Sequence, residues 1–264
     1  MTSRRLRAVV FWLLRRSGVP WVVRHTVQRR RVTILVYHNP PPAVMERHLE
    51  LLCRLYRVVS LREYVEKRTL LRGALIVTLD DGYAQNFALR DVFARFSVVP
   101  TIFVCTGIVG THRGFWFLHG GDAGFDPRAE LAVREALSEG EIRELGGVAD
   151  IQAHTVTHPI LPRCTPEQAE EEIAESKRDL ERRFGLDVYA FAYPNGEYTE
   201  RDAQIAREAG YRCALAVGGR TNGDSADLYA LRRIAVDDHD GIDELVVKAS
   251  GVWPWLERVS GRWR

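Results

Sequence analysis

Short apolar runs rich in Ile, Val and Thr alternate along this chain with longer segments whose apolar positions recur every three or four residues. The runs read as strands covered on both faces, the longer segments as helices with one buried stripe. This pattern predicts strands at 31–38, 57–60, 74–79, 100–105, 150–153, 189–193, 213–217 and 231–236. Helices are predicted at 43–55, 61–69, 86–96, 199–210 and 242–250. A short helix opens at the capping box Ser138-Glu-Gly-Glu141 and stops at Gly146-Gly147. The clearest helix has Thr165 as its cap, Pro166 in its first turn, Gln168 completing a second capping box and Gly185 as its stop. Ala169, Ile173, Leu180 and Phe184 form its stripe, opposite Glu170, Glu171, Lys177 and Arg178. Residues 107–137 fit neither pattern; an aromatic Gly114-Phe-Trp-Phe-Leu118 precedes a loop-like Gly120-Gly-Asp-Ala-Gly124. Alternating strand and helix predict a parallel α/β sheet, open or closed into a barrel.

At 264 residues, with 46% apolar and 27% charged side chains, the composition is that of a soluble chain able to bury one sizeable core. The net charge of +2 conceals an asymmetry. Residues 1–31 hold nine arginines, no lysine and no acid, which leaves 28 of the 37 basic residues against all 35 acidic ones, a net −7, on the remainder. The chain is accordingly divided into a basic amphipathic extension, 1–31, and a body, 32–264. A basic amphipathic segment suits an anionic membrane surface or partner, or docking on the protein's own body. Only seven apolar residues separate Arg7 from Arg15, and no small-residue cleavage site follows. That is a poor secretory signal and too short to span a bilayer. A cytoplasmic location, or a peripheral one at the cytoplasmic face of the membrane, is expected. No aromatic stacking platform accompanies the arginines, so nucleic acid is not an expected partner. Cys53, Cys105, Cys164 and Cys213 are widely spaced and demand no disulfide framework; Cys105 reads as a small buried residue.

Chemistry concentrates where predicted strands end. The strand 74–79 runs into Asp80-Asp81-Gly82, two carboxylates at the tip where α/β sheets and barrels place their sites. Successive strand residues point to opposite faces, so the two carboxylates are expected to do different jobs. The strand 150–153 delivers His154-Thr-Val-Thr-His158-Pro159. Pro159 steers His158 away from the right-handed helical region, putting the pair on a strand end and the turn after it. Two imidazoles and one carboxylate make a three-ligand metal site with open positions.

Thr78-Leu-Asp-Asp-Gly82, His154-Thr-Val-Thr-His-Pro159 and Phe191-Ala-Tyr-Pro-Asn-Gly196 resemble, in order and approximate spacing, three motifs of the polysaccharide deacetylase family. This family has the NodB homology domain and is also called carbohydrate esterase family 4. The resemblance covers roughly residues 32–250. It implies an irregular (β/α)7-type barrel of NodB type and a metal-dependent hydrolase. Such an enzyme removes N-acetyl groups from an N-acetylated sugar in a polysaccharide or glycan precursor. Asp81, His154 and His158 would hold a divalent metal, commonly Zn²⁺, and Asp80 would be the general base. The backbone N–H of Asn195, after Pro194, would face the oxyanion, with Tyr193, Pro194 and Trp116 on the substrate side.

Two positions depart from the family pattern. The third motif lacks the arginine that pairs with the base, and Arg232 or Arg233 on the late strand is the candidate replacement. No Leu-x-Leu-x-His string supplies the general acid, leaving His239 or His38 as candidates. A metal-dependent amidohydrolase acting on a non-sugar amide, and a catalytically degenerate glycan-binding barrel, are the competing functions.

Overall fold

The computed structural model describes residues 3–67, 71–119, 130–253 and 256. Eight parallel strands form its sheet: β1 (Thr33–Tyr37), β2 (Arg57–Val58), β3 (Ala74–Leu79), β4 (Thr101–Val104), β5 (Asp150–Ala153), β6 (Ala190–Ala192), β7 (Cys213–Val217) and β8 (Leu231–Ala235). Seven close into a barrel in the order β1-β8-β7-β6-β5-β4-β3, with β3 pairing back onto β1. The short β2 lies outside the ring. It pairs with the first half of β3 while β4 takes the second half of the same edge.

The helices of the body are α3 (Pro42–Leu55), α4 (Leu61–Lys67), α5 (Arg90–Phe96), α6 (Glu139–Leu145), α7 (Pro166–Phe184), α8 (Glu200–Glu208) and α9 (Ile242–Ala249). Before them come α1 (Ser3–Arg16) and α2 (Val19–His25). Both predicted capping boxes form, at Ser138 and at Thr165, and Gly185 ends α7 in the left-handed conformation. The predicted helix 86–96 is instead a 3-10 segment, Ala84–Leu89, followed by α5. The loop at 120–124 and residues 68–69 of the predicted helix 61–69 lie outside the described residues.

Alternation along the strands divides the core in two. One set, including Leu35, Leu75, Val77, Ile102, Ile151 and Ile234, packs against the helices. The other, including Ile34, Ile76, Phe103, Ala190, Cys213 and Leu215, packs in a separate cluster. Continuing that second parity along β3 and β8 gives Ile76, Thr78 and Asp80, and Leu231 and Arg233. Only β1 separates β3 from β8. Hence Asp80 and Arg233 reach the same region although 153 residues separate them in sequence.

The basic segment lies on the body. Phe11 is fully buried against Val247 and Val252, and Arg7 and Arg15 pair with Glu244 and Asp243 at the start of α9. Among the described residues, no helix is long and apolar enough to cross a membrane.

Candidate active site

Three chain segments that follow strands β3, β5 and β6 converge here. Asp81 leaves the strand with φ +70, so it does not point away from Asp80 as an extended residue would. Gly82 continues the turn at φ +75, with Val104 so close that a Cβ would lie 2.7 Å from its Cγ1. The expectation that the two carboxylates face apart is therefore corrected. Asp81 Oδ1 lies 3.5 Å from His154 Nε2, and Asp80 Oδ2 4.0 Å from the same atom. Both carboxylates face one imidazole because the left-handed turn cancels the strand's alternation.

The segment after β5 is built with similar strain. Thr155 and His158 both have positive φ, 67 and 63, so Pro159 finds His158 out of the right-handed region but in the left-handed one. Glu172 of α7 holds the loop, accepting from the backbone N–H of Val156 at 2.8 Å and Thr157 at 2.9 Å, and from the Thr157 hydroxyl at 2.5 Å. His158 donates its N–H to Thr155 Oγ1 at 2.9 Å. Trp116 Nε1–H donates to the His158 carbonyl at 3.0 Å, and the Phe117 ring lies 4.6 Å from the His158 ring. Cys105, buried as expected, donates its thiol to the His154 carbonyl.

Asp81, His154 and His158 bring one ligand atom each to within 4.8 Å of the others, and all three residues are buried. His158 Nε2 is 3.4 Å from Asp81 Oδ1. Separations of 3.4–3.5 Å are long for hydrogen bonds. They match the edge of a tetrahedron whose ligands stand about 2.0–2.1 Å from a central ion. Asp81 Oδ1 is buried without a hydrogen-bond partner, although it is the atom that faces both rings. His154 Nδ1 lies 2.8 Å from the Ala192 carbonyl; donating there leaves the lone pair on Nε2, toward Asp81. The donor set and its geometry fit a divalent cation.

Charge separates the two carboxylates. Arg233, fully buried, grips Asp80 with two parallel bonds, Nη1 to Oδ1 at 2.6 Å and Nη2 to Oδ2 at 2.8 Å. Burial alone would push the Asp80 carboxyl up; Arg233, then His154 and His38, outweigh it and hold Asp80 below the usual carboxylate range. For Asp81, burial is outweighed by His154, His158 and His38, and its carboxyl is also held low. Burial likewise opposes a charged His154, but Asp80 and Asp81 raise that ring above its ordinary value. His158 goes the other way, pushed down to about 4 by burial and by His154. Burial and then the Asp81 charge push the Tyr83 phenol up.

The remaining sequence candidates separate cleanly. Arg232 donates to Tyr198 and stacks on that ring, so of the two arginines it is Arg233 that pairs with Asp80. His38 is exposed, yet close enough for its charge to lower both carboxylates. His239 is an exposed loop residue whose N–H donates to Asp237 Oδ1. Tyr193 is corrected from a substrate-side position. Its side chain is fully buried, stacked on Tyr198, and its hydroxyl donates to the Tyr229 carbonyl. Pro194 is buried in a 3-10 turn whose exposed Asn195 has φ 56. Trp116 lies beside His158, half-buried.

A family model described as polysaccharide deacetylase matches residues 67–214, a span that contains both aspartates, both histidines and the Tyr193-Pro194-Asn195 turn. The chain belongs to the polysaccharide deacetylase family. YxkH of Bacillus subtilis (strain 168), which carries a polysaccharide deacetylase name, is 26% identical over 165 residues. The match covers 61% of this chain and 51% of YxkH, so the chain spans about half the length of that curated relative. Among solved structures, the Streptococcus pyogenes deacetylase PplD in complex with acetate superposes with a TM-score of 0.66 at 20% identity, over 83% of this chain and 98% of PplD. A de-N-acetylase from Aggregatibacter actinomycetemcomitans gives 0.67 at 14% identity, over 83% and 99%. These two likenesses establish the fold, a polysaccharide deacetylase barrel of seven parallel strands.

One contributor to the site escapes a sequence reading. Glu172 is one of several glutamates on α7, and nothing in its spacing marks it as the residue that turns toward the 155–158 loop.

Proposed function

We propose that this polysaccharide deacetylase family member is a metal-dependent hydrolase that removes N-acetyl groups from an N-acetylated sugar, in a polysaccharide or a glycan precursor. The observation that carries this reading is the convergence of Asp81 Oδ1, His154 Nε2 and His158 Nε2 beside an aspartate held ionised by a buried arginine. Asp81, His154 and His158 would hold the ion, and zinc is one that accepts two imidazoles and a carboxylate. When bound, such an ion would supply Lewis-acid polarisation of a carbonyl and lower the pKa of water toward ~7.

The chain's own residues do the rest. Asp80, which is not among the three ligands, accepts the proton of the water that attacks the acetamide carbon. Arg233 keeps that carboxylate charged and fixes its plane. Pro194 has no N–H, and those of Gly196 and Glu197 are spent on the Tyr193 and Pro194 carbonyls. The Asn195 amide is the turn's remaining donor toward the developing oxyanion. His38 gives a proton to the sugar nitrogen as the C–N bond breaks, releasing acetate and a free amine.

The test is acetate release from chitooligosaccharides and from N-acetylhexosamine conjugates, run beside cyclic and other non-sugar amides. Acetate from the sugars alone is expected. Turnover confined to the non-sugar amides would overturn the substrate class, and a metal-loaded protein inert on every amide would leave only a binding barrel.

A further inference from the structure

Helix α1 is oriented against the usual rule for a surface helix. Leu6, Val9, Val10 and Leu13 follow the i, i+3, i+4, i+7 spacing of one apolar stripe. Yet all four are exposed, Leu6 by 57% and Leu13 by 54%. The fully buried side chain is Phe11, on the opposite side against Val247 and Val252. Arg7 and Arg15 pin that inward side to Glu244 and Asp243. The helix is therefore held with its apolar stripe outward, and α2 extends the display with Val19, Val22 and Trp21, the last exposed by 61%. Of the twelve exposed large hydrophobic side chains among the described residues, nine lie between Leu6 and Val27.

The charges around this surface have one sign. Residues 1–31 contain nine arginines and no acid. Arg5, Arg16, Arg29 and Arg30 are exposed and have no carboxylate partner among the described residues. Arg16 lies over the Trp12 ring. An apolar cavity of about 710 Å³ opens beside the stripe, lined by Leu14, Val19, Val23, Val27 and Val252, with Arg31 in its wall. Aliphatic side chains, interfacial tryptophans and unpaired arginines, without a single carboxylate, complement a layer that is apolar below and anionic at its surface. A protein partner would have to supply both an apolar face and enough acids for every free arginine.

We infer that α1 and α2 dock this enzyme in the plane of an anionic phospholipid bilayer, with Leu6, Val9, Val10 and Leu13 entering the acyl boundary. The neighbouring cavity gives a displaced acyl chain a place to lie. This inference is independent of the chemistry assigned to the metal site.

The experiment is sedimentation of the full chain with vesicles of phosphatidylcholine alone and of phosphatidylcholine with phosphatidylglycerol. Binding to the anionic vesicles is expected to exceed that to the neutral ones by about tenfold or more, and to weaken with salt. Leu6→Asp with Leu13→Asp should abolish it. Changing Arg5, Arg16, Arg29 and Arg30 to Gln, with the stripe intact, should remove the preference for anionic vesicles; this variant keeps the test decisive if the first misfolds. No vesicle binding, equal binding to both compositions, or undiminished binding by the aspartate variant would overturn the inference. So would self-association that the aspartate variant abolishes without any vesicle binding, which would assign the stripe to a second copy of the chain.

Discussion

Asp80 and Asp81 share a peptide bond but not an environment. Asp80 is clamped by a guanidinium; Asp81 leaves one oxygen unpartnered between two imidazoles. Replacing Asp80 by Asn should cost roughly 10²–10⁴-fold in kcat with metal stoichiometry unchanged, as expected for a lost general base. Asp81→Asn should instead lower bound metal, read by elemental analysis of the purified protein. Equal metal loss in both variants would contradict the division of roles. Arg233→Met leaves a buried carboxylate without its partner, which should cost about 3–5 kcal/mol of stability in a denaturant titration. It should also move the acid limb of the pH–rate profile upward, because Arg233 is what holds Asp80 low. The sign follows from linkage: a carboxylate depressed in the folded state stabilises it above the unfolded pKa, and that contribution fades as the pH falls through the folded value. Arg233→Lys should not restore the profile, since an ammonium cannot make the two parallel bonds.

At the scale of elements, left-handed residues make the site. Asp81, Thr155, His158 and Asn195 all have positive φ, and each lies after a strand. Four of the five non-glycine residues with positive φ among the described residues are in these turns, so the strain is concentrated at the candidate site. Glu172 bears the cost for one of them. Glu172→Gln should leave the fold intact and weaken metal affinity by about 10–100-fold, measured by competition with a chelator. Gly196→Ala is predicted to be worse for folding. Its Cβ would lie 2.3 Å from the Val217 backbone nitrogen, and thermal denaturation should show a loss of at least about 1–3 kcal/mol. The strands at 74–79 and 213–217 were legible to the residue because apolar runs there end in Asp or Gly. The turns were not, because a left-handed Asp or His leaves no mark on hydrophobic pattern. Arg233 could have been chosen over Arg232 from alternation, since it shares the parity of Leu231 and not of Ile234. Tyr193 lies among motif residues, but its parity, shared with Phe191, sends it into the packing beneath the helices.

For the whole molecule, ring closure is what alternation of strand and helix left open. It follows from β3 giving one edge to β1 and the other, in halves, to β2 and β4. Closure places the segments after β3, β5 and β6 around one opening and puts β8 one strand from β3, so an arginine late in the chain can take the place of one absent from Phe191–Gly196. The arginine-rich start was legible as basic and amphipathic, but its outward apolar stripe required the position of α9. The most direct measurement is acetate released from an N-acetylated chitooligosaccharide by metal-stripped protein as zinc is returned. The rate should rise in proportion to zinc and level off at one equivalent per chain. Release that ignores the metal, or none with the metal site saturated, would contradict a metal-dependent deacetylase.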